Sequence, residues 1–139
     1  MADSSNFIIA IDFGLTHIGL AVGQRITNSA SGLTTLKANN GRPNWNEIDK
    51  LIKEYSPSLL LVGFPLNMDG TKSEMTEKAE KFAALLRQRT LIPTCLVDER
   101  LSSKEAINIA NGSKKIHGYK ATIHEISACL IAQTWLDEN

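Results

Sequence analysis

Phe7-Ile8-Ile9-Ala10-Ile11-Asp12-Phe13-Gly14 decides how this chain folds. The first five residues are a nearly unbroken apolar run, short and without the polar alternation of a half-exposed strand. Such a run reads as a central strand covered on both faces. It ends on the carboxylate of Asp12, and Gly14 breaks it. A second apolar stretch, Ile18-Gly19-Leu20-Ala21-Val22-Gly23, follows closely enough to return as a hairpin.

Outward from this pair, the stretch from Gly32 to Leu36 reads as a weaker third strand, and Asn39-Asn40-Gly41-Arg42-Pro43 as a loop. Asn44 opens a helix, with Glu47 as capping-box partner and Trp45, Ile48, Leu51, Ile52 and Tyr55 on its apolar face; Pro57 stops it. Leu59-Leu60-Leu61-Val62 is a fourth strand, followed by a loop with an Asp69-Gly70 turn. Thr71 and Glu74 suggest a second capping box, ahead of a helix that buries Met75, Ala79, Phe82 and Leu86. Pro93 to Val97 is a fifth strand, ending at Asp98-Glu99-Arg100. Ser102 and Glu105 are expected to cap a short helix. Thr122 and Glu125 are expected to cap the last one, whose stripe holds His124, Ala128, Ile131 and Trp135.

Three meandering strands followed by βα units predict an α/β domain, with a five-stranded mixed sheet and helices on both faces. Right-handed crossovers place the fourth and fifth strands beside the first, with their C-terminal ends at one edge, where open α/β sheets bind ligand. Residues 1–6 read as a polar tail and 7–138 as a single domain.

Composition narrows the function. The chain has 139 residues with 15 Lys+Arg against 15 Asp+Glu, which excludes binding of nucleic acid by bulk positive charge. No apolar run reaches the length of a membrane span, and the polar start lacks the pattern of a signal peptide, so a cytoplasmic protein with no membrane partner is expected. Cys95 and Cys129 lack metal-site spacing and read as core thiols. A monomer or weak dimer is expected.

Four side chains could carry chemistry. Asp12, at the end of the most buried strand, either caps its turn or binds a cation. Asp98 and Glu99 alternate across their strand, so only one of them shares a face with Asp12. His124 is either a satisfied, partly buried histidine or a ligand, and Glu125 reads as a capping residue. His17 reads as a turn-surface histidine. From Arg100 to Lys120 the chain carries five Lys/Arg against one Asp/Glu. That segment, with Lys114, Lys115 and Lys120, is either a clamp for a phosphate backbone or a solvated loop.

Three motifs then resemble one family. Ile11-Asp12-Phe13-Gly14 with Ile18-Gly19-Leu20-Ala21-Val22-Gly23-Gln24-Arg25-Ile26-Thr27, Val62-Gly63-Phe64-Pro65-Leu66-Asn67-Met68-Asp69-Gly70, and Asp98-Glu99-Arg100-Leu101-Ser102 stand in the order of the YqgF/RuvX family. This is a group of Holliday-junction-resolvase-like proteins named as pre-16S rRNA nucleases. The resemblance spans nearly the whole chain, with Phe64 where Leu is usual. It implies a ribonuclease H-like fold and a metal-dependent endonuclease acting on structured RNA such as pre-16S rRNA, on the small-subunit precursor, or on branched DNA.

The implied catalytic residues are Asp12, Asp98, Glu99 and His124. Asp12, Glu99 and His124 would hold Mg²⁺ or Mn²⁺, in all two ions. Arg25, Arg100, Lys114, Lys115 and Lys120 would hold nucleic acid. The chain departs from the family at His124, where an Asp is usual, in a shorter preceding loop, and in lacking a basic residue near Thr16. Imidazole suits Mn²⁺ better than Mg²⁺. The alternative is a nucleic-acid- or ribosome-binding module with impaired catalysis. An actin-like phosphotransferase shares the Asp12-Phe13-Gly14 turn but needs two such domains.

Overall fold

The computed structural model describes residues 6–64, 69–98 and 122–139. Its elements are β1 (Phe7–Asp12), β2 (His17–Gln24), β3 (Ser29–Asn39), β4 (Arg42–Pro43), α1 (Trp45–Tyr55), β5 (Leu59–Phe64), α2 (Glu74–Thr90), β6 (Thr94–Asp98) and α3 (Ile123–Glu138). The short helix expected after Ser102 and the basic loop lie outside the described residues.

The sheet runs β4-β3-β2-β1-β5-β6. β1 is antiparallel to β2 and parallel to β5, and β5 is parallel to β6. The placement beside β1 is as expected, but the sheet has six strands rather than five. The extra strand comes from Asn40-Gly41, whose positive φ values (54° and 83°) suit a tight primed hairpin turn. That turn folds Arg42–Pro43 back onto Ala38 and Asn39, so the stretch read as a loop is a hairpin. β3 is longer than the five residues expected, because a register shift opposite Leu20 and Ala21 leaves Leu33 unpaired and interrupts its alternation.

β1 is central, and both of its faces are buried. Ile9 and Ile11 join Leu60, Val62, Phe82 and Leu86 in the core under α1 and α2. Ile8 and Ala10 join Leu61, Ala128, Ile131 and Ala132 in the core under α3. Helices therefore cover both faces, as predicted. No described helix is long and apolar enough to cross a membrane.

Local signals position the helices. The Asn44 side chain accepts from the Asn46 amide at 3.0 Å, and Ser56 closes α1 in the left-handed region just before Pro57. α2 starts two residues later than the sequence suggested. The Thr71 hydroxyl donates to Asp69 at 2.7 Å, and the capping box is instead Ser73 with the fully buried Thr76. Cys129 is a core thiol, but Cys95 is exposed. Cys95 pairs in register with Leu61 and so faces the α3 side. α3 lies over β1, β2, β3 and β5, and Val97 of β6 packs against the core beneath it.

Candidate active site

One register row crosses the sheet at the C-terminal end of β1. Thr35 of β3 pairs with Gly19 of β2, Gly19 with Asp12, Asp12 with Gly63 of β5, and Gly63 with Val97 of β6. Paired residues share a face, and Val97 belongs with the core under α3. The half-buried Asp12 therefore lies on the α3 face, next after Ile8 and Ala10.

The first turn of α3 sits on this row. A Cβ on Gly19 would lie 2.2 Å from the carbonyl oxygen of His124 and 2.9 Å from its Cβ. Only glycine lets the helix come so close. The His124 backbone thus lies over Gly19, the register partner of Asp12. Its ring stacks on that of the exposed His17, 5.0 Å between centroids and 9° apart. Burial pushes the His124 imidazole below its ordinary value of 6.5; His17 pushes the same way, and Glu125 opposes both. The neutral imidazole, the form that binds metal, is favoured.

Hydroxyl groups fix the helix start. The Glu125 amide donates to Thr122 Oγ1 at 3.1 Å, Thr122 and Thr35 hydroxyls lie 2.8 Å apart, and Thr35 Oγ1 donates to Glu125 Oε2 at 3.1 Å. With Thr122 donating to Thr35, every hydrogen in this circuit is used. The expected cap at Thr122 is present. Glu125, read as a capping residue, is nearly buried (8% exposed), with its carboxylate returned to the sheet.

The structure seats the first turn of α3, with His124, over Gly19, the register partner of Asp12. It does not bring Asp98 there: Thr94 and Leu96 line a cavity with Ala83 and Arg87 of α2, and Asp98 continues their face, opposite Val97. Arg25 sits at the far end of the sheet, beside the Phe7–Gln24 pair, about 17 Å of strand from Asp12. There its guanidinium lies 5.0 Å from the Trp135 ring centroid and donates to Ser58 Oγ at 3.5 Å. Glu99, Arg100, Lys114, Lys115 and Lys120 lie outside the described residues.

A carboxylate and a neutral imidazole are donors suited to a divalent cation. Among the described residues no three His, Cys, Asp or Glu side chains converge to complete such a site. Sequence reasoning passed over Thr35; its signal is its place opposite Gly19, in the same row as Asp12 and two strands away.

The comparisons agree with this architecture. A protein named "Putative pre-16S rRNA nuclease" from Haemophilus ducreyi is 49% identical over 138 residues, covering 95% of this chain and 96% of that protein. One of the same name from Pseudomonas fluorescens is 48% identical over 134 residues, covering 95% and 92%. Among solved structures, Thermus thermophilus RuvC in complex with a Holliday junction substrate matches with a TM-score of 0.59 at 17% identity, covering 92% of this chain and 90% of that one. The fowlpox virus resolvase in complex with Holliday junction DNA matches with a TM-score of 0.62 at 11% identity, covering 95% and 97%. The likeness to both is one of fold, the ribonuclease H-like sheet of the resolvases. The family model described as RuvX, Holliday junction resolvase, matches residues 6–138, and the chain belongs to that family.

Proposed function

We propose that this protein is an endonuclease that hydrolyses phosphodiester bonds in structured RNA, with the 5′ end of pre-16S rRNA as its substrate. The observation that carries the reading is the Asp12–Gly19 row, capped by His124, at the C-terminal edge of the parallel strands. Relatives near half identity over nearly the whole chain bear the name of that activity.

Asp12, His124 and Glu99 are the proposed ligands. Glu99 is named by the Asp98-Glu99-Arg100 motif that resembles the family's. A divalent cation bound there, Mg²⁺ or Mn²⁺ and as a pair in the full site, supplies Lewis-acid polarisation of the phosphodiester and an activated water. Asp12 orients and compensates charge at the strand end. His124, kept neutral by burial, accepts a proton or donates its ring nitrogen. Asp98, across the strand, acts through position rather than by contact with substrate. Arg100, Lys114, Lys115 and Lys120 supply phosphate contacts that set register without reading sequence.

The test is cleavage of a pre-16S rRNA 5′ leader and of a four-way DNA junction by wild type and Asp12→Asn, with Mg²⁺ and Mn²⁺ compared. Divalent-dependent cleavage that vanishes in Asp12→Asn supports the reading; cleavage that survives the substitution in pure protein overturns it. One observation favours a second reading. The side chain at position 124, where the family usually has an Asp, is an imidazole. Tight RNA binding without cleavage under any metal would identify a nucleic-acid- or ribosome-binding module.

A further inference from the structure

His17 opens β2 two residues before Gly19, so it shares the face of Gly19 and of its register partner Asp12. Its backbone is held from two sides. His17 pairs with Lys37 of β3, and the Ala38 amide donates to the Thr16 carbonyl at 2.9 Å. From the other side the turn after β1 closes on it: a Cβ on Gly14 would lie 2.3 Å from the His17 carbonyl oxygen, an approach that requires glycine. The exposed ring is held as well. Its Nδ1 lies 3.1 Å from the Thr16 hydroxyl, and its face lies on the His124 ring, 5.0 Å between centroids and 9° from parallel. That separation falls within the range of about 4.5–7 Å that stacked aromatic pairs adopt.

His124 lacks any other support of this kind. It is the second residue of α3, whose N-cap is Thr122. Deeper in a helix the preceding turn restricts χ1, but at this position there is no preceding turn. Among the described residues its ring nitrogens make no hydrogen bond, and the contact that orients the half-buried ring is the stack on His17.

We infer that His17 is a positioning residue: held by Thr16 and by the hairpin, its ring keeps the His124 imidazole in one rotamer, ready to bind a divalent cation. A side chain that is ordered beforehand loses less rotamer freedom when it binds. Metal-binding imidazoles are ordinarily oriented by a hydrogen bond to their second nitrogen. Here a flat ring takes that part, and the Thr16 hydroxyl stands behind it as the next support. The inference rests on the reading of His124 as a ligand and adds to it the residue that holds it.

The experiment uses the full, isotopically labelled chain with His17→Phe, which keeps a flat ring, and His17→Ala, which removes it. His17 is exposed, so neither substitution opens the core. Three-bond NMR couplings at the His124 Cβ, measured in chelator, report its χ1. A single rotamer is expected in wild type and in His17→Phe, and averaging in His17→Ala. Mn²⁺ alone is then the probe, with the free ion counted by electron paramagnetic resonance. His17→Ala should weaken its binding about tenfold, and His17→Phe should restore it. In chains that carry His124→Ala, adding His17→Ala should change nothing further.

Averaged couplings in the wild type, a single rotamer kept in His17→Ala, or a loss of affinity that persists without His124 each overturns the inference. So does a His17→Phe chain as weak as His17→Ala, because the His17 nitrogen would then itself be a ligand. Couplings that respond as expected in a wild type that binds no Mn²⁺ leave the positioning role standing and sink only the metal-dependent nuclease reading.

Discussion

The ring of His17 lies flat against that of His124, 9° from parallel and 5.0 Å away, bridging the start of β2 to the first turn of α3. Two imidazoles stacked so closely cannot both take a proton without repulsion. Burial pushes the His124 value below 6.5, and the nearby His17 adds to it. The folded chain therefore binds fewer protons than the unfolded chain as pH falls below about 6.5, and stability declines from there toward the folded value. In an NMR titration the His124 ring should change with a midpoint below 6.5, and His17→Ala should move it upward. A midpoint unmoved by His17→Ala would mean that the stack does not act on His124.

Gly19 should tolerate alanine far less well than Gly23, although both lie on β2 under α3. At Gly19 the new methyl meets the His124 carbonyl oxygen at 2.2 Å, and backbone can yield only if the helix lifts. At Gly23 it meets Ile8 Cγ1 at 2.8 Å and Leu136 Cδ1 at 3.3 Å, side-chain atoms that can rotate away. Gly19→Ala is expected to cost about 3 kcal/mol and Gly23→Ala about 1 kcal/mol. Denaturant melts compare the two directly, and equal costs would show that α3 moves freely over β2.

Much of this arrangement is legible in the sequence. The apolar run before Asp12 gives β1 its central place, because only a strand buried on both faces is apolar at every position. Burial of Ile9 with one core and Ala10 with the other bears this out. Caps at Asn44 and Thr122 are equally readable, being local hydrogen bonds between near neighbours. The capping box at Ser73 was not, since Thr71 offers the same chemistry and only its bond to Asp69 removes it. Nor was the His17–His124 stack, which joins residues over a hundred positions apart and depends on where α3 lands. The face taken by Asp98 depends on strand register, which periodicity alone leaves open to a one-residue shift.

Thr35 is expected to act at a distance from the chemistry. Its hydroxyl closes the circuit between Thr122 and Glu125, and Thr35→Val leaves the nearly buried Glu125 carboxylate short of a donor. The substitution should cost about 1–3 kcal/mol. It should also loosen the helix turn that carries His124, so that cleavage falls more than RNA affinity does. Calorimetric melts and a paired cleavage and binding assay check both halves. A Thr35→Val chain with wild-type stability would show that the circuit contributes nothing net.

The two thiols should react very differently. Cys129 is buried on the sheet-facing side of α3, and burial, with the neighbouring Glu125 carboxylate, pushes its thiol up to about 12. At pH 8 almost none of it is thiolate, the reactive form. Cys95 stands exposed on the edge strand. A disulfide reagent added to native protein at pH 8 should therefore titrate one thiol per chain. The second should appear only on unfolding in guanidinium, and Cys95→Ser should remove the fast phase. Two fast thiols in the native state would mean that α3 leaves the sheet readily, and with it the helix turn that seats His124 over Gly19.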